Sequence, residues 1–216
     1  MNSSKRNFIE AWIVWGVVIF LMSLSSHLQF IPSWIPMVLL VYAPAFVLYW
    51  HQESFDFFER SWGDFFYSFK ILIFTLLFIF PPLFIANHFF QQSFSHAHYF
   101  PSHKNASLWM VFLINTLIIA FPEEFFFRGY LLKRFQGYFQ DQKIFLGVKM
   151  GKAFFLTAFV FAMSHSLITL RWWHFSIFFP ALVFGWLREK TNGMLAPILF
   201  HSLSNVFAAW VALHYR

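Results

Sequence analysis

The chain has 216 residues, of which 59% are hydrophobic and only 11% charged, against about 25% charged in a soluble domain. That balance excludes an ordinary soluble globular protein and points to a polytopic membrane protein. The net charge of +6 therefore bears on membrane orientation rather than on nucleic acid, which is not an expected partner. There is no cysteine, so disulfides, thiolate catalysis and cysteine-based zinc sites are excluded.

Seven apolar segments, at roughly 8–26, 34–50, 69–87, 107–132, 153–170, 172–188 and 194–213, approach the length of a membrane-crossing helix. They predict an all-α bundle of about seven spans, six to eight being compatible with the pattern, in a single membrane-embedded domain over 1–216. The first segment follows Lys5 and Arg6 like a signal peptide. It is long for one and lacks a small-residue cleavage site, so it is read as an uncleaved span. The third contains Pro81-Pro82, which should kink it or end it early. The fifth and sixth meet at Leu170-Arg171.

Eleven of the 15 lysines and arginines fall in segments on the N-terminal side of the membrane and three on the other, with Arg128 inside a span. Positive charge collects on the cytoplasmic face, which predicts a cytoplasmic N-terminus. Two connecting stretches have their own character. Residues 51–68 mix acids with aromatics and are expected to lie as an amphipathic helix in the interface. Residues 88–106 hold His88, His96, His98 and His103 at irregular spacing, which suits a solvated outer loop better than a metal site. Tyr130, Trp34, Trp50, Trp109 and Trp186 near span ends are expected as interfacial anchors.

The chemistry concentrates in the later segments. Glu123 and Glu124 stand together in an apolar run, with Arg128 four residues on. One carboxylate at membrane depth costs roughly 2.5–3.5 kcal/mol, so such a cluster marks a functional site. On a helix Glu124 and Arg128 share a face, while Glu123 is turned about 100° away. Glu124 is thus expected to pair with Arg128, leaving Glu123 free to accept a proton. Pro122 removes a backbone hydrogen bond beside the pair, which at this depth implies a wet pocket. His165 follows Phe161 by four residues in the fifth segment, and Asn205 follows His201 by four in the seventh. Ser164, Ser166, Ser202 and Ser204 are close in sequence. All these groups are expected to share one cavity, although His165 falls deeper in its segment than Glu123 and His201 do in theirs.

Glu-Glu-x-x-x-Arg, Phe-x-x-x-His and His-x-x-x-Asn, in that order on successive spans, resemble the CPBP ("Abi") intramembrane proteases, which include the type II CaaX prenyl endopeptidases. The resemblance covers roughly residues 107–210. It implies hydrolysis of a peptide bond in a membrane-associated peptide or protein by glutamate-activated water. Carried over by position, Glu123 and His165 would activate the water. Glu124 and Arg128, with Phe161, would support them, and His201 with Asn205 would stabilise the oxyanion. No cofactor is expected on this reading. Two glutamates and two histidines leave a zinc-dependent protease open, and a proton-relaying transporter or a non-catalytic scaffold or bacteriocin-immunity protein are the alternatives to an enzyme. A bacterial plasma membrane is the expected location.

Overall fold

A computed structural model describes residues 2–28, 32, 34–54, 56–100, 107–141 and 143–215. Seven helices follow one another among them: α1 (Ser3–His27), α2 (Trp34–Trp50), α3 (Trp62–Ser93), α4 (Leu108–Tyr138), α5 (Lys152–Thr169), α6 (Phe178–Thr191) and α7 (Leu195–His214). The fold is an all-α bundle. Five of these helices, α1, α3, α4, α5 and α7, are long and apolar enough to cross a membrane, while α2 is a shorter apolar helix.

The sixth apolar segment departs from expectation. Leu170 turns the chain with φ of +54°, Trp172–Ile177 form a 3-10 turn, and only the 14 residues from Phe178 are α-helical. Pro180, in the first turn, is placed where its missing N–H is not needed. Helix α3 departs in the other direction and runs through Pro81-Pro82 to Ser93. Its start is fixed by a capping box, Ser61 accepting from Asp64 N at 3.1 Å while Asp64 Oδ2 accepts from Ser61 N at 3.1 Å.

Among the described residues of 51–68 there is no separate amphipathic helix: 62–68 open α3, and those before them form a looped connection at the end of the bundle. Phe57 lies under Gly129, and Asp56 accepts from Lys133 Nζ at 2.9 Å, which holds the Asp56 carboxyl below its ordinary range. Glu59 accepts from Met194 N at 3.3 Å and Leu195 N at 3.0 Å, capping α7 in place of the usual side-chain N-cap. Arg134 pairs with Glu53 at 2.7 Å at the same end, and His51 with Glu10 at 2.8 Å.

That end also carries a two-stranded hairpin, β1 (Lys143–Phe145) and β2 (Val148–Met150), which the sequence reading did not anticipate. The exposed tryptophans Trp34, Trp50 and Trp109 fit the anchor reading. Tyr130 does not, because it is buried under the Arg134 guanidinium. Trp186 is half-buried and donates to Leu146 O at 3.2 Å. Of the loop histidines, His88 belongs to α3 and bonds Tyr215; His103 lies outside the described residues.

Candidate active site

Helix α4 is α-helical only in part. Asn115–Ala120 and Phe125–Leu131 wind as π-helix on either side of the four residues Phe121–Glu124. The first wide turn absorbs Pro122: the N–H of Phe121 bonds back to Thr116 O. Such turns open the backbone ladder and recur at functional sites. Because α4 continues to Tyr138, Glu123 stands at the midpoint of its 31-residue span. This removes the mismatch in depth with His165.

Glu124 is fully buried, and its Oε1 accepts two hydrogen bonds, from Arg128 Nη1 at 3.1 Å and His201 Nδ1 at 2.9 Å. The expected Glu124–Arg128 pair is thus present, with a third member from α7. Arg128, 1% exposed, also donates through Nη2 to Ala181 O at 3.0 Å. Its guanidinium lies 4.3 Å from the Phe161 ring centre and 5.2 Å from that of Phe184. One carboxylate oxygen and one guanidinium therefore tie α4, α5, α6 and α7 together.

Glu123 faces elsewhere. Its Oε2 is buried and has no hydrogen-bond partner among the described residues. It lies 3.7 Å from His165 Nε2 and 3.8 Å from His201 Nε2, too far for direct bonds. The protons on the two rings can be assigned from their other contacts. His165 Nδ1 lies 3.0 Å from Phe161 O, and a carbonyl only accepts, so Nδ1–H donates. His201 Nδ1 likewise donates to Glu124. In the neutral rings both Nε2 atoms then carry lone pairs, and three acceptor atoms converge on one small gap. Such a gap suits a molecule that brings protons, such as water.

The structure brings Glu123, Glu124, Arg128, Phe161, His165 and His201 together. It does not bring in Asn205, which is half-buried one turn along α7 and makes no hydrogen bond to another described residue. Three of the four serines serve packing. Ser164 accepts from Trp15 Nε1 at 2.9 Å, Ser202 meets Thr116 at 2.7 Å, and Ser204 bonds its own helix. Among the described residues no group of three or more histidines and acids is spaced to hold a metal ion.

The sequence reading missed Phe184, which stacks on His201 at 4.6 Å and 15°. One phenylalanine among 36 carries no signal of its own. It also missed Glu59, whose place among acids and aromatics gave no hint of the helix it caps.

Residues 105–207, a little under half of the chain, match the family described as type II CAAX prenyl endopeptidase Rce1-like. No curated protein and no solved structure matches the chain. The matched segment contains every residue from Glu123 to Asn205, and over it the chain is similar to the Rce1-like type II CAAX prenyl endopeptidases.

Proposed function

We propose that this protein hydrolyses a peptide bond near a membrane-associated, C-terminal segment of its substrate, using water held between Glu123 and the two histidines. The observation that carries this reading is the convergence of Glu123 Oε2, His165 Nε2 and His201 Nε2 on one gap. A water there donates both protons to acceptors, so its oxygen lone pairs remain free to attack a carbonyl carbon. As the O–C bond forms, Glu123 takes the proton, with His165 sharing the load. The same proton passes to the departing amine as the C–N bond breaks.

The negative charge that develops on the carbonyl oxygen needs donors. His201 and the Asn205 amide are the donors the family resemblance assigns. His201 donates in the state in which its Nε2 carries a proton and no longer holds the water, while Glu124 keeps Nδ1. Asn205, one turn along α7, serves once the substrate lies within its reach. Arg128 pairs with Glu124 and holds it in place, and Phe161 supplies its ring to Arg128 and its carbonyl to His165. The whole chain, 1–216, acts as one membrane domain whose motif-bearing core is 107–210. The N-terminus is cytoplasmic and the membrane is a bacterial plasma membrane. The cationic end of the bundle, where Arg6, Lys133, Arg134, Lys143, Lys149 and Lys190 gather, supports that orientation.

A zinc-dependent reaction is the second reading by ligand type alone, because zinc accepts imidazoles and a carboxylate, while the described residues hold no group of three spaced for it. The test is cleavage of a membrane-anchored peptide library by purified protein, comparing wild type with Glu123→Ala, with and without chelator. Cleavage that survives chelator and disappears in the variant is the expected result. Loss with chelator and recovery with zinc would replace it by the metal reading. No cleavage, together with an unchanged cellular phenotype of Glu123→Ala, would refute catalysis in favour of a scaffold.

A further inference from the structure

The hairpin between α4 and α5 is an unusual object at the end of a membrane bundle. Register Phe145↔Val148 leaves a two-residue turn, Leu146-Gly147, with φ of +50° and +72°. Tight turns of this kind take Asn, Asp or Gly at the first position. Leucine is sterically disfavoured there, and packing of its side chain does not offset this, since it is 67% exposed. Its neighbours Ile144 and Phe145 are 80% and 61% exposed. Three consecutive bare apolar residues, one of them strained, form a tip made to enter lipid.

The tip is not a loose flap. Trp186 of α6 donates to Leu146 O at 3.2 Å, and Val148 is buried against the bundle. Behind it lies a groove of 510 Å³, lined by Phe74 and Phe78 of α3, Phe154 of α5, and Leu182, Val183 and Trp186 of α6, with Phe145 and Leu146 forming its lip. The lining is almost wholly apolar, and the volume lies in the range of small-ligand sites. A second trough of 610 Å³ runs from Lys143 and Lys152 down past Phe155, Phe159 and Phe178, sharing Met150 and Phe155 with the first.

Two cations flank the grooves. Lys143 lines the second trough, and Lys190 Nζ lies against the turn, where a Cβ at Gly147 would come within 2.9 Å of it. Among the described residues neither forms an ion pair, whereas Lys152 has Asp141 at 3.5 Å. Lys149 pairs with Ile144 on the hairpin face turned away from both grooves. Two apolar slots that share a wall and are flanked by two unpaired ammonium groups match the shape and charge of one diacyl lipid.

We propose that this hairpin is the docking site of an anionic membrane phospholipid, with its headgroup held by Lys143 and Lys190 and its acyl chains in the two grooves. The site lies on the other face of α6 from Phe184, which stacks on His201, so a bound lipid braces the wall of the candidate active site. The inference does not rest on that site being catalytic, and its test reads binding alone.

Purified full-length protein in neutral detergent is titrated with phosphatidylglycerol or phosphatidylcholine, and bound lipid is counted by native mass spectrometry. Each basic residue near an anionic headgroup is worth up to about fivefold in affinity. Phosphatidylglycerol should therefore bind roughly 5- to 25-fold more tightly, with the preference shrinking as salt is raised. Lys143→Gln/Lys190→Gln should abolish the preference, while Lys149→Gln, on the other hairpin face, should leave it unchanged. Leu182→Trp, which fills the first groove, should weaken both lipids. Equal binding of the two lipids by wild type, or a preference that survives the double variant, would overturn the proposal. If the double variant fails to fold, Lys143→Gln alone should still reduce the preference about fivefold, and no reduction would count against it.

Discussion

Arg128→Met is the most demanding perturbation of this molecule. The side chain is buried, and its loss removes the 3.1 Å pair with Glu124 Oε1, the 3.0 Å bond to Ala181 O and the cation–ring contact with Phe161. The dominant effect is what remains: the Glu124 carboxylate, with no exposure at all, keeps only His201 Nδ1 as a partner. Breaking a buried pair from one side costs about 3–5 kcal/mol, and at about 2–4 °C per kcal/mol for a chain of this size the thermal midpoint falls by about 6–20 °C. Differential scanning fluorimetry in a fixed detergent reads this directly. Glu124→Gln/Arg128→Met removes the stranded charge, while the amide oxygen at that position still accepts from His201, so it should recover at least half of the loss. Arg128→Lys should fall between, since an ammonium group cannot reach Glu124 and Ala181 together as the guanidinium does. A loss below about 1 kcal/mol for Arg128→Met, or a double variant as unstable as the sum of its parts, would refute the view that the cluster is held by mutual neutralisation.

Three further outcomes follow from other parts of the fold. Glu59→Ala removes both acceptors from the start of α7 and should lower stability by about 1–2 kcal/mol; Glu59→Gln, which keeps one acceptor, should recover part of it in the same thermal assay. Gly129→Ala places a Cβ 3.1 Å from the Phe57 ring and should cost about 1–3 kcal/mol by overpacking, with Phe57→Leu restoring the loss as a second-site change. Finally, the Lys133 bond depresses the Asp56 carboxyl, so it stabilises the protein above the ordinary aspartate range and is lost as pH falls through the lowered value. Lys133→Met should therefore lower the thermal midpoint at neutral pH, and the difference from wild type should vanish in strong acid.

The bundle and the core of its site were legible because both are written in strong contrasts. Apolar runs stand out against 11% charge, and Glu123, Glu124, Arg128, His165 and His201 stand out within those runs. The residues that missed did so for identifiable reasons. Pro81-Pro82 reads as a breaker, yet α3 carries on with most of its length facing outward, only Ser68, Leu72 and Thr75 being buried along it. The apolarity of 172–188 signals burial or lipid contact but not regular winding, and a 3-10 turn satisfies it equally well. The acids and aromatics of 51–68 looked amphipathic because Phe57 and Glu59 serve two different partners, Gly129 and the start of α7, which are distant in sequence. The hairpin was invisible because its turn carries Leu146-Gly147 rather than the Asn-Gly that announces such turns.

The wide turns of α4 carry a consequence for comparing this chain with others. Each π-helical stretch holds one residue more than an α-helix closing the same hydrogen bonds, which is a rotation of about 100° at the ordinary pitch. A relative with a regular helix in place of Asn115–Ala120 would present its glutamates to the same neighbours only if it were one residue shorter there. Aligning such chains correctly requires a single-residue gap inside a membrane span, where gaps are ordinarily forbidden. Without that gap, the residues before the wide turn, Leu108–Ile114, would be set against the wrong partners while the Glu-Glu pair still matched.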